Sequence, residues 1–470
     1  GALQPLFDVG SVALFVHGVQ WIGYTLHFPD WLTIFLAQGL GGGINTVLPL
    51  VPQIGMMYLF LSFLEDSGYM ARAAFVMDRL MQALGLPGKS FVPLIVGFGC
   101  NVPSVMGART LDAPRERLMT IMMAPFMSCG ARLAIFAVFA AAFFGQNGAL
   151  AVFSLYMLGI VMAVLTGLML KYTIMRGEAT PFVMELPVYH VPHVKSLIIQ
   201  TWQRLKGFVL RAGKVIIIVS IFLSAFNSFS LSGKIVDNIN DSALASVSRV
   251  ITPVFKPIGV HEDNWQATVG LFTGAMAKEV VVGTLNTLYT AENIQDEEFN
   301  PAEFNLGEEL FSAVDETWQS LKDTFSLSVL MNPIEASKGD GEMGTGAMGV
   351  MDQKFGSAAA AYSYLIFVLL YVPCISVMGA IARESSRGWM GFSILWGLNI
   401  AYSLATLFYQ VASYSQHPTY SLVCILAVIL FNIVVIGLLR RARSRVNIEL
   451  LATRKSVSSC CAASTTGDCH

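Results

Sequence analysis

The chain has 470 residues, 54% of them hydrophobic and 13% charged, with a formal net charge of −2 and a mean hydropathy of +0.61. This balance excludes an ordinary soluble domain and offers no basic surface for nucleic acid. Several apolar runs are long enough to cross a bilayer, so the chain reads as a polytopic membrane protein.

In chain order, residues 6–28 are apolar but carry Asp8, His17, Gln20 and His27 and end at Pro29-Asp30. That pattern predicts a helix at the membrane interface rather than a span, and residues 1–43 are read as an extracytoplasmic or interfacial segment. Spans are predicted over 46–64, 118–144, 150–170, 212–231, 357–380, 391–412 and 419–439. Two further apolar stretches, 91–108 and 266–289, are interrupted, the first by Gly, Pro and Asn, the second by glycines and by Lys278-Glu279. Neither reads as an ordinary span. The opening Gly1-Ala2-Leu3-Gln4 shows no initiator methionine and no signal pattern, so a fragment of a longer protein is expected.

Basic residues orient these elements. Lys171, Arg176, Lys195, Arg204, Lys206, Arg211 and Lys214 fill the connection 171–214, and Arg440, Arg441, Arg443 and Arg445 follow the last span. Both belong in the cytoplasm by the positive-inside rule, as do 65–90 and 109–117. Parity then makes 91–108 enter and leave from the inside, and 266–289 enter and leave from the outside. The expected fold is all-α: an inverted repeat with two re-entrant helical hairpins, 44–171 matched to 212–412. A cytoplasmic amphipathic connection, 172–211, joins the repeats. The second repeat carries an acidic insertion, 290–356, without EF-hand spacing. A final membrane helix, 413–439, leads into a basic, cysteine-containing cytoplasmic tail, 440–470, expected to have no fixed scaffold.

Three cysteines fall where proline or glycine breaks an apolar segment: Cys100 in Gly97-Phe98-Gly99-Cys100-Asn101-Val102-Pro103, Cys129 before Gly130, and Cys374 after Pro373. A break at membrane depth is tolerated only where it packs in protein or lines a cavity. Thiolates beside freed carbonyls suit a soft or borderline divalent metal, and small core cysteines are the other reading. Glu65 and Asp66 at the end of 46–64, and Glu279 in the second hairpin, are weaker candidates as ligands or compensating charges, since intramembrane charge is costly. Half-helix carbonyl ends at the hairpin tips, near Cys100, Asn101 and Thr273, would favour a partly dehydrated cation. Met123, Met127, Met276 and Met378 offer thioethers. Arg109 and Arg132 are expected to anchor helix ends at the inner interface. Cys460, Cys461, Cys469 and His470 form no evident tetrahedral site. No H-E-x-x-H and no Walker A motif occurs, so no enzymatic activity is expected of this chain.

These motifs resemble the membrane domain of the FeoB-type ferrous iron transporters of bacteria. The resemblance runs through GFGCNVPSVMGAR (97–109), PFMSCGAR (125–132), GLFTGAMAKEVVVGTL (270–285) and YVPC (371–374), and covers essentially the whole chain. It implies uptake of Fe²⁺ across the bacterial inner membrane, with Cys100, Cys129 and Cys374 at positions proposed as iron ligands. It also implies an amino-terminal domain binding GTP and Mg²⁺ and a first membrane helix, both absent from this chain. FeoA-like and, in some species, FeoC-like small cytosolic partners follow, and a homo-oligomer is open. Two alternatives stand beside it: a transporter of nucleosides or another solute with the same gate architecture, and a membrane metal sensor.

Overall fold

Hydropathy and turn chemistry together account for most of the observed elements. The structure, a computed structural model, describes residues 10–25, 35–48, 50–175, 192–214, 242–276, 280–290, 345–415 and 417–462 and a few single positions between them, with backbone only from 442. Every regular element among the described residues is helical. Most of the expected span 212–231 and of the acidic insertion, and Glu279, Cys469 and His470, lie outside the described residues.

The amino-terminal segment forms helical turns, Val12–His17 and Phe35–Gly41 in wide π geometry, continued by α1 (Gly18–Thr25) and α2 (Gly42–Val47) and packed on one another. Two longer helices follow, α3 (Leu50–Asp66) and α4 (Tyr69–Leu84). Gly85 ends α4 with φ 79°, and its N–H and that of Leu86 return to Gln82 O and Met81 O. This αL closure is open to glycine at little cost. The first interrupted stretch becomes α5 (Phe91–Val96) and α6 (Asn101–Gly107), which pack together and are each far too short to cross a bilayer.

Next come α7 (Pro114–Met123) and α8 (Gly130–Phe143), joined by the turn Ala124–Phe126 into one bilayer-length unit, then the unbroken α9 (Gly148–Thr173). The amphipathic connection contains α10 (Val194–Phe208), which lies along α3. After α11 (Ala243–Ile251), the second interrupted stretch forms α12 (Trp265–Met276) and α13 (Val280–Thr290), again packed on each other. The end of the insertion is α14 (Thr345–Phe355). A second broken unit, α15 (Ala358–Leu370) and α16 (Ile375–Glu384), is followed by α17 (Arg387–Ala412) and α18 (Pro418–Ala462).

Among the described residues, five helical units are long and apolar enough to cross a membrane: 114–143, 148–173, 358–384, 387–412 and 418–441. The chain is therefore a multi-pass helical membrane protein. None of the last span's apolar window is buried, and Leu422, Leu426, Leu430 and Ile433 are exposed where acyl chains would cover them. Asn432 ties it to α17, donating to Ser403 Oγ at 2.8 Å and accepting from Asn399 at 3.1 Å, the interhelical hydrogen bonding expected in an apolar medium. α18 runs on to Ala462 and takes in Cys460 and Cys461, where no scaffold was expected. The physical reason is that neither Gly nor Pro occurs between Gly437 and Gly467.

Candidate ion site at the helix breaks

Two kinds of helix start bear on the breaks. Ser242, Ser357 and Ser386 open α11, α15 and α17, and each hydroxyl accepts from the backbone N–H three residues on, at 3.1–3.3 Å. That is ordinary N-capping. Cys100, Cys129 and Cys374 open α6, α8 and α16 from extended backbone (φ −152°, −80° and −60°), and none caps through its side chain. All three are reduced and partly exposed. Three serines thus cap helix starts, while the three cysteines open theirs without capping.

The breaks are brought together by packing. α6 lies against α16, and Arg109, just beyond α6, pairs with Glu384 at the end of α16, its Nε donating to Oε2 at 2.7 Å and its Nη2 meeting Oε1. Tied at their C-terminal ends and packed side by side, the two helices run the same way, so Cys100 and Cys374 open the same end. The other pair of breaks meets through backbone. Gly130 N–H donates to Gly99 O at 3.4 Å, and Asn101 Nδ2 donates to Met127 O at 3.4 Å.

Arg132 completes the first break. Its side chain is 0% exposed, and Nη1 donates to Pro125 O at 3.0 Å and Met127 O at 2.8 Å. It re-satisfies carbonyls that the break removes from the helical ladder, which an apolar medium requires. Its charge also acts on Cys129, Tyr371, Cys374 and Tyr156, while Nε and Nη2 find no hydrogen-bond partner among the described residues. This corrects the expectation that Arg132 anchors a helix end at the inner interface; it sits in the middle of a broken span because the break needs its donors. Arg109 does hold helix ends together.

At the second break, the Tyr371 hydroxyl donates across to Leu271 O of α12 at 3.3 Å. Lys278, 4% exposed, lies with Nζ 5.0 Å from the centroid of the Tyr371 ring, a cation–π contact. Thr273 donates within its own helix to Val269 O and Gly270 O. Met123 and Met127 are buried packing residues, Met123 Sδ lying against Gly167. Glu65 is ion-paired with Arg204 on α10 at 2.8 Å, both side chains well exposed, and Asp66 is the last residue of α3. No group of three or more His, Cys, Asp or Glu side chains able to hold a metal forms among the described residues.

Sequence reasoning named Arg132 but gave it a helix-end role, and it missed Tyr371. The available signal was a hydrogen-bonding side chain three residues either side of a break's cysteine, where freed carbonyls need donors.

Broken helices apposed in pairs, followed by unbroken spans, define a membrane protein of the gate type. Residues 47–143 and 209–387 match the Gate family, described as nucleoside recognition, and the chain belongs to it. Residues 152–204 match the ferrous iron transport protein B C terminus. Over all 470 residues the chain is 99% identical to the Fe(2+) transporter FeoB of Escherichia coli (strain K12) and 93% identical to that of Salmonella typhimurium. Over 451 residues it is 48% identical to the Fe(2+) transporter FeoB of Legionella pneumophila. The resemblance read from the motifs therefore holds along the whole chain. The chain spans 61% of the length of the first two relatives and 58% of the third. No solved structure matches it.

Proposed function

We propose that this chain is the membrane pathway through which Fe²⁺ is taken up across the bacterial inner membrane, with its carboxyl terminus in the cytoplasm. The observation that carries the reading is the use of cysteine at three helix breaks, with Cys100 and Cys374 opening parallel, packed helices and Cys129 joined to the first break by backbone. Helix N-termini carry the positive end of the dipole, and the carbonyls at the first break are committed to Arg132, Asn101 and Gly130. A cation therefore depends on the sulfurs rather than on bare carbonyls. Since the thiols do not close on a common ion among the described residues, they serve in succession along a path, as conduction through weak sites requires.

Glu65, Asp66 and Glu279 act as auxiliary charges in this reading. GTP and Mg²⁺ belong to an amino-terminal domain of the longer relatives, and FeoA-like and FeoC-like cytosolic proteins are its helpers. The two hairpins are re-entrant and approach from opposite faces. Sulfur ligands distinguish the metal reading from transport of a nucleoside, whose recognition relies on hydrogen-bonding side chains. The test is Fe²⁺ flux into proteoliposomes for Cys100→Ser, Cys129→Ser, Cys374→Ser and the triple variant. Each single change is expected to lower flux at least about tenfold at constant protein, consistent with loss of a soft ligand. Wild-type flux in the triple variant would remove the site, and iron binding without flux in the wild type would favour a sensor.

A further inference from the structure

Ion passage needs binding that is favourable enough to enter and weak enough to leave. A thiolate that favours entry also slows release, since sulfur holds soft and borderline divalent metals well. Something near the sulfurs must oppose the ion. The described residues contain one fully buried guanidinium, Arg132, three residues after Cys129. Its charge acts on both Cys129 and Cys374, two of its donors hold no hydrogen bond, and the carbonyls of Pro125 and Met127 fix where it sits. Lys278, against the Tyr371 ring, is a second buried basic side chain.

We propose that Arg132 is the residue that sets ion release: a fixed positive charge beside the sulfurs that lowers their affinity for a divalent cation and so turns a trap into a passage. The proposal rests on the reading of the cysteines as ligands. Guanidinium suits the role because it stays charged when buried, and here its Nη1 alone holds two carbonyls at once. Its Nε and Nη2 hold no hydrogen bond among the described residues, and a cation bound at the sulfurs would lie within reach of its charge. Repulsion between a buried unit charge and a divalent ion is only weakly screened by protein, so its removal should be felt strongly.

A merely structural role predicts that losing Arg132 loosens the break and weakens metal binding; release control predicts the opposite sign. Purified protein in lipid nanodiscs is titrated anaerobically with Co²⁺, reading the thiolate-to-cobalt charge-transfer band, and Co²⁺ efflux is followed in proteoliposomes. Arg132→Met and Arg132→Gln are expected to bind Co²⁺ about tenfold tighter or more than wild type, with the band kept and efflux slowed. Arg132→Lys, assayed at about pH 6 so that its buried ammonium stays protonated, should stay within about threefold of wild type, which tests the charge even where the neutral variants fail to fold. Unchanged or weaker binding in the neutral variants that fold, or equally tight binding in Arg132→Lys, would overturn the proposal. If wild type shows no cysteine-dependent band, the ligand reading itself fails, and this inference with it. A band lost in the cysteine variants but unmoved by Arg132→Gln overturns the inference alone.

Discussion

Gly159 and Gly397 show how closely neighbouring spans press on the two broken ones. A β-carbon built on Gly159 would lie 2.9 Å from Phe126 O and 3.5 Å from Ser128 Oγ, so α9 reaches the first break through backbone alone. On Gly397 it would lie 3.2 Å from Leu370 O and 3.4 Å from Tyr371 O, the same relation at the second break. Small residues permit such close approach between membrane helices. Gly159→Ala is expected to cost about 1–3 kcal/mol, the usual scale of overpacking, because its obstacle is a backbone oxygen that cannot rotate away. Gly379, with nothing within 4 Å of its added β-carbon, is the control, and Gly379→Ala should be neutral or slightly stabilising. Thermal unfolding in detergent, followed by monodispersity, checks both.

Among elements, the tie between α6 and α16 is the most consequential. Glu384 has a side chain only 3% exposed and holds Arg109 and Arg117 together, Arg117 Nη2 donating to its Oε2 at 2.8 Å and its backbone O at 2.9 Å. Both arginines remain partly exposed, at 54% and 34%. Removing the carboxylate therefore returns two charges to water, whereas removing both arginines strands a buried anion. Loss of a partner is costliest when the survivor is buried. The double variant Arg109→Ala/Arg117→Ala should accordingly destabilise more than Glu384→Gln, by about 1–3 kcal/mol, as measured by the difference in chemical or thermal unfolding midpoints. Hydropathy located these elements well but not their ends. The runs 118–144 and 391–412 begin late because Arg115, Glu116, Arg117 and Arg387 depress them, while Pro114 at the first turn and the Ser386 cap start the helices earlier. The broken nature of 358–384 was signalled only by Pro373. The cysteines were legible because a break leaves a sequence mark. The role of Arg132 was not, since it depends on which carbonyls the break sets loose.

At the scale of the whole molecule, cross-links between distant segments sort the loops into two ends. At one end Lys171 donates to Ala83 O, Arg115 to Met175 O, and Lys89 pairs with Asp112, beside the Arg109–Glu384–Arg117 cluster. At the other, Gln410 donates to Pro257 O, Phe143 packs on Phe355, and Gly259 abuts Tyr409. Segments expected on the same side from charge parity are thus held together by contacts that parity never used. The first end gathers Lys89, Arg109, Arg115, Arg117, Lys171, Arg383 and Arg387 from the described loops and helix ends, the second Arg249, Lys256 and Lys354. That excess should set the first end in the cytoplasm. Cysteines introduced singly into a background lacking the native ones would report it: Asn147→Cys and Ser415→Cys should react with a membrane-impermeant maleimide in intact spheroplasts. Asp112→Cys and Arg387→Cys should react only after lysis. Labelling of Asp112→Cys from outside would reverse the orientation, and with it the direction from which each hairpin enters. Labelling of Asn147→Cys and Arg387→Cys from the same side would break the parity itself, because one crossing would then be missing between residues 147 and 387.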